Sequence, residues 1–115
     1  MAINLWAVGY DTADAEKLAR FWSEVLGRPV DPGASAEFAA IETADGGPVL
    51  SFHQVPEGKT VKNRMHPDLI STGFAADTER LLQLGATRLN DVEKGSARWT
   101  TFADPEGNEF DLIAG

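Results

Sequence analysis

Residues Thr12–Gly27 read "TADAEKLARFWSEVLG", and residues Thr72–Gly85 read "TGFAADTERLLQLG". Each opens on a polar turn, runs through an apolar-striped helical segment and stops at Leu-Gly, Leu26-Gly27 in the first and Leu84-Gly85 in the second. The two copies lie about 60 residues apart, a spacing at which an internal period sets the architecture. In the first copy Ala15, Leu18, Ala19, Trp22, Val25 and Leu26 keep the i, i+3, i+4, i+7 spacing of one buried helix face. Asp11 or Thr12 is the expected N-cap, Asp14 puts negative charge in the first turn, and Gly27 supplies the left-handed stop.

Alternating apolar segments flank both helices. Strands are expected at Ile3–Tyr10, Arg28–Asp31, Ala36–Glu42 and Val49–Gln54 in the first half, with "DPGAS" and "ADGG" as turns. Segment Val55–Asn63, "VPEGKTVKN", is polar, carries Pro and Gly, and reads as the connection between halves. The second half then gives a strand at Met65–Ser71, a helix at Ala75–Leu84, and strands at Ala86–Val92, Ala97–Phe102 and Glu109–Ala114. The last two are joined by "ADPEGNE", where Pro105 presets a turn. The expectation is an α+β fold of two tandem βαβββ modules, about 1–57 and about 64–115, within one domain spanning 1–115. One such module cannot close a core alone, whereas two can share a curved mixed sheet around a cleft. Such a cleft is where a small ligand binds.

Composition narrows the function. The chain has 115 residues and a net charge of −8, which argues against nucleic acid, since a duplex binder needs a basic footprint. With no cysteine there is no disulfide scaffold, thiolate metal site or cysteine nucleophile. No apolar run approaches the ~20 residues of a membrane span, and "MAINLWAVGYD" has no signal-peptide grammar. A cytoplasmic protein that contacts neither nucleic acid nor membrane is expected. There is no G-x-S-x-G elbow, P-loop or G-x-G-x-x-G, and the glycine of "DPEGNEFD" falls too early for an EF-hand loop.

Side chains alternate along a strand, so His66, Asp68 and Ile70 share one face of theirs, and Glu109 and Asp111 share a face opposite Phe110 and Leu112. Three carboxylates and an imidazole on neighbouring strands need pairing, protonation or a cation if partly buried. Two of them have a structural alternative, and Asp111, with less local use in a turn, is expected to face the pocket. His66 can be a structural histidine, Glu109 can serve the "DPEGN" turn, and Pro67 marks a strand start or edge beside His66. Lys59, Lys62 and Arg64 form a basic cluster that either meets an anionic ligand or is a solvated connector.

Phe21-Trp22 followed by "VLG", then "VPEGKTVKNRMH", "LLQLGAT" and "DPEGNEFDL", resemble in order and spacing the vicinal oxygen chelate superfamily, which includes glyoxalase, bleomycin-resistance and extradiol dioxygenase proteins. The chain is most similar in kind to its small glyoxalase-like members, and the resemblance covers nearly all of it. The resemblance implies metal ligands on the first and last strands of each module. Carried over, these fall on His66 and Asp111 in the second module, on Ala7 in the first, and on Ser51 or His53, where the register stays open. Ala7 cannot ligate, so no metal or other cofactor is expected; if a divalent metal binds, its ligands are His66, Asp111 and His53.

The ligand-binding set is therefore His66, Asp68, Glu109, Asp111 and His53. The function expected is small-molecule binding of the bleomycin-resistance type. The alternative is a glyoxalase-like enzyme, a lyase, isomerase or dioxygenase, using His66 with Asp111 or Glu109. A homodimer is expected, with Trp residues suited to its contacts.

Overall fold

A computed structural model describes residues 5–42 and 46–115. Ile3, where the first strand was expected to begin, and Ala44 and Asp45 of the "ADGG" turn lie outside the described residues. The chain divides into two compact units, Met1–Gly58 and Lys59–Gly115.

In the first unit β1 (Ala7–Thr12) leads into α1 (Ala15–Leu26), followed by β2 (Phe38–Ile41) and β3 (Val49–Gln54). The sheet order is β1-β3-β2, with β1 parallel and β2 antiparallel to β3. β1 extends two residues beyond the expected Tyr10 and ends at Thr12. The helix cap consequently shifts from Asp11 or Thr12 to Asp14, whose carboxylate accepts the Lys17 N–H at 3.1 Å. Thr12 Oγ1 accepts the Asp14 N–H instead, at 3.1 Å. Gly27 closes the helix at φ 65°, a conformation that a Cβ would strain.

Residues Arg28–Asp31 do not form the expected strand. Pro29 has no N–H to give a ladder and Pro32 restricts Asp31, so in place of a ladder an isolated backbone bond, Asp31 N–H to the Ala40 carbonyl at 2.9 Å, ties the segment to β2. The helix stripe lies on this sheet as the spacing requires. Leu18, Phe21 and Trp22 are buried, and Tyr10 joins the Trp22 and Phe52 rings at centroid separations of 5.5 and 5.2 Å.

In the second unit the elements are β4 (Asp68–Ser71), α2 (Phe74–Leu84), β5 (Thr87–Lys94), β6 (Ala97–Ala103) and β7 (Glu109–Ala114). Their order is β4-β7-β6-β5, and β4 runs parallel to β7. β4 starts after Pro67 rather than at Met65, because proline cannot donate to the ladder. Its carbonyl still accepts from Asp111 N–H at 3.0 Å, so the residues just before β4 lie along β7. Phe102 and Phe110 are fully buried and stack at 5.6 Å, with Leu112 and Leu81 beside them in the core. The architecture is α+β, in two βαβββ-like modules with mixed sheets.

Candidate functional site

The core of the second unit fixes what lies on its other sheet face. Phe110 and Leu112 point inward, so alternation sends Glu109 and Asp111 to the opposite side. Asp111 pairs in register with Asp68 on β4 and with Thr101 on β6. That register, with Pro67 held along β7 by the Asp111 N–H, brings His66, Asp68 and Asp111 together, one donor atom from each lying within 4.8 Å of the others.

His66 Nδ1 is 2.7 Å from Asp68 Oδ1 and 3.7 Å from Asp111 Oδ2. An ionised carboxylate only accepts, so Nδ1 carries the proton and, in neutral imidazole, Nε2 keeps the lone pair. Asp111 is the sheltered member at 16% side-chain exposure, against 41% for His66 and 52% for Asp68. Its second oxygen, Oδ1, accepts from Thr101 Oγ1 at 2.6 Å.

One imidazole and two carboxylates are donors that suit a borderline or hard divalent ion. Metal–ligand bonds of about 2.1 Å put neighbouring donors roughly 3–3.5 Å apart, close to the separations between His66 and the two carboxylates. The residues present fit a divalent ion, which would replace the Nδ1 proton. This donor set differs from the one expected from sequence. Asp68 stands with His66 and Asp111, whereas His53 belongs to the first unit, where it lies 3.2 Å from Ser51 Oγ and edge-on to the Phe38 ring. The open register is also settled: Gly9 pairs with Ser51 and Asp11 with His53.

Glu109 stands on the same face but has different partners. Lys62 Nζ donates to Oε1 at 2.8 Å, Lys59 Nζ lies 4.0 Å from Oε2, and Asn63 donates to the Glu109 carbonyl at 3.3 Å. The Lys62 hydrogen bond holds the Glu109 carboxyl below the usual carboxylate range, against the opposing effect of burial and with help from Lys59. Two of the three residues of the basic cluster, Lys59 and Lys62, therefore face Glu109. The "DPEGN" turn is served by Asp104 instead. Its Oδ1 accepts the Glu106 and Asn108 N–H groups, each at 2.9 Å, and its Oδ2 accepts from Asn108 Nδ2 at 2.9 Å. Neither Asp104 nor Thr101 stood out in the sequence. The Asp-Pro-x-Gly-Asn string was a usable signal for Asp104, since Asp hydrogen-bonds backbone two residues on. A cleft of about 540 Å³ in the first unit, bordered by Glu16, Arg20, Ser23 and Asp31, contains none of the expected site residues.

The sequence signature of the glyoxalase-like domain matches residues 7–113. The chain belongs to the glyoxalase-like domain family. No curated protein matches its sequence. Among solved structures, this glyoxalase-like chain is similar to a glyoxalase/bleomycin resistance protein/dioxygenase family enzyme from Burkholderia phytofirmans PsJN, at 18% identity and TM-score 0.78, covering 97% of this chain and 98% of that one. It is also similar to the fosfomycin resistance protein FosX from Mesorhizobium loti, at 18% identity and TM-score 0.77, covering 100% and 94%. A mutant FosX from Listeria monocytogenes, in complex with Mn(II) and 1S,2S-dihydroxypropylphosphonic acid, aligns at 17% identity and TM-score 0.78, covering 100% and 92%. At these identities the likeness concerns the fold, that of the vicinal oxygen chelate superfamily. Among the described residues, no helix is long and apolar enough to cross a membrane.

Proposed function

We propose that this glyoxalase-like protein binds a small molecule whose polar end is anchored at His66, Asp68 and Asp111. The observation that carries this reading is the convergence of the three side chains on one sheet face, with Asp111 sheltered and its second oxygen already occupied. Ligand sites combine an apolar surround with a few convergent polar groups, and this is such a group. The Mn(II) complex of the Listeria protein supports a divalent ion as part of the anchor, held by these three residues. When bound, the ion supplies Lewis acidity that polarises a ligand oxygen. The chain's own residues set the orientation before an ion binds: Asp68 accepts the His66 Nδ1–H, and Asp111 accepts the Thr101 hydroxyl.

A second reading, an enzyme of lyase, isomerase or dioxygenase type, is favoured by one contact. The 2.7 Å approach of His66 Nδ1 to Asp68 leaves Nε2 as a proton acceptor, the arrangement of an oriented general base. Self-association as a homodimer belongs to the proposal, and sedimentation at micromolar concentration checks it. The test of binding is thermal denaturation of wild type, His66→Ala and Asp111→Ala with Mn²⁺, fosfomycin and bleomycin as probes. A probe that raises the wild-type Tm and not that of either variant supports the site. Equal shifts in all three proteins place binding elsewhere.

A further inference from the structure

Asp111 is the only one of the three anchoring groups whose side chain is mostly shielded from water, and its orientation decides whether an oxygen faces His66. A neighbouring hydroxyl touches one of its two oxygens. Thr101 lies directly across from Asp111 in the antiparallel β6–β7 ladder, and its hydroxyl donates to Asp111 Oδ1 at 2.6 Å. With Oδ1 turned to Thr101, Oδ2 is the oxygen left toward His66, at 3.7 Å. A carboxylate held by an O–H donor at this distance loses the freedom to rotate about its last torsion, and charge-assisted bonds of this length are the strong ones.

The first unit provides an internal control. There β3 pairs with β1 and β2 as β7 pairs with β4 and β6. Ser51 takes the place of Asp111, since it lies opposite Gly9 as Asp111 lies opposite Asp68, and the residue across from Ser51 on β2 is Ala40. The sheet ladder therefore does not require a hydroxyl at this position. It occurs in the unit where there is a carboxylate to orient.

We propose that Thr101 is a positioning residue of the anchor, holding Asp111 so that Oδ2, with His66 and Asp68, addresses a divalent ion. This rests on the reading of His66, Asp68 and Asp111 as the anchor. Groups that hydrogen-bond to ligating carboxylates typically contribute about 10- to 100-fold to metal affinity. Thr101→Val keeps the β-branched shape that suits a strand and removes only the hydroxyl, and Thr101→Ser restores the hydroxyl on a smaller side chain.

The experiment is calorimetric titration of Mn²⁺ alone into wild type, His66→Ala, Thr101→Val and Thr101→Ser, with Tm recorded for each metal-free protein. The expected result is Mn²⁺ affinity about tenfold weaker in Thr101→Val, near wild type in Thr101→Ser and absent in His66→Ala, with all four metal-free Tm values within a few degrees. If His66→Ala loses Mn²⁺ while Thr101→Val binds as tightly as wild type, or more tightly, the positioning role is overturned and the anchor stands. If His66→Ala binds like wild type, or wild type binds no Mn²⁺, the anchor reading fails and the Thr101 role with it. A Thr101→Ser protein as weak as Thr101→Val assigns the effect to packing and also overturns the proposal.

Discussion

The two units use one strand grammar for opposite surfaces. Counted back from the strand ends Thr12 and Ser71, Ala7 and Gly9 occupy the positions of His66 and Asp68. Ser51 and Ala40 occupy those of Asp111 and Thr101. In the second unit every one of these positions carries a polar group in the anchor; in the first, three of the four carry nothing larger than a methyl. The other face is conserved in kind between the units, since Tyr10, Phe52 and Trp22 build one aromatic core and Phe102 and Phe110 the other. The lesson is that the helix-facing side of each sheet specifies the fold, and the opposite side is free to carry chemistry in one unit and small residues in the other.

The largest effect expected from breaking this comparison is in the cores, where the units are alike. Trp22 and Phe110 are each almost wholly buried, so Trp22→Ala and Phe110→Ala should each destabilise the protein by about 3–5 kcal/mol. Urea denaturation measures both. A loss under about 1 kcal/mol for either would show that the unit does not depend on that core.

The next prediction sharpens the contrast on the other face. Transplanting the anchor as Ala7→His, Gly9→Asp and Ser51→Asp should raise the Mn²⁺ stoichiometry from one ion per chain to two, the second bound more weakly because Ala40 offers no hydroxyl to orient the new carboxylate. Space permits the change at Gly9, where a Cβ would meet its nearest neighbour, Ser51 Oγ, at an ordinary 3.5 Å. Calorimetry that still counts one ion in a folded triple variant would mean that the shared ladder is insufficient to build the site.

The smallest effect concerns Glu109, which shares the anchor's face and is paired with lysines instead. Its carboxyl titrates lower in the folded protein than in the unfolded chain, so the unfolded state takes up protons first as the pH falls. The stability it contributes is complete above the ordinary glutamate value of the unfolded chain and is lost as pH falls through the lower folded one. Because Lys62 is largely exposed, Glu109→Gln should cost no more than about 1 kcal/mol at pH 7, with the difference from wild type shrinking toward pH 3. A difference that grows on acidification would contradict the Lys62 pairing.

How much of this was legible in the sequence follows from what each feature depends on. Both helices and the second unit's strands follow local patterns, apolar spacing and turn residues, and these held to within a few residues. Arg28–Asp31 has the alternation of a strand, but Pro29 and Pro32 deny it a ladder. Alternation places His66, Asp68, Glu109 and Asp111 on candidate faces, and the family resemblance adds ligand positions at His66 and Asp111. The pairing of Asp68 with Asp111 depends on which strands lie side by side, and Thr101 depends on the β6–β7 register. A local pattern contains neither.

The central claim is that the anchor in the second unit is where an ion, and with it a ligand, is held. Anomalous diffraction from crystals soaked in Mn²⁺ tests it most directly. The account predicts one strong peak in each chain, within bonding distance of His66, Asp68 and Asp111 and absent in Asp111→Ala crystals. Occupied Mn²⁺ peaks located only elsewhere, or none at saturating Mn²⁺, would contradict it.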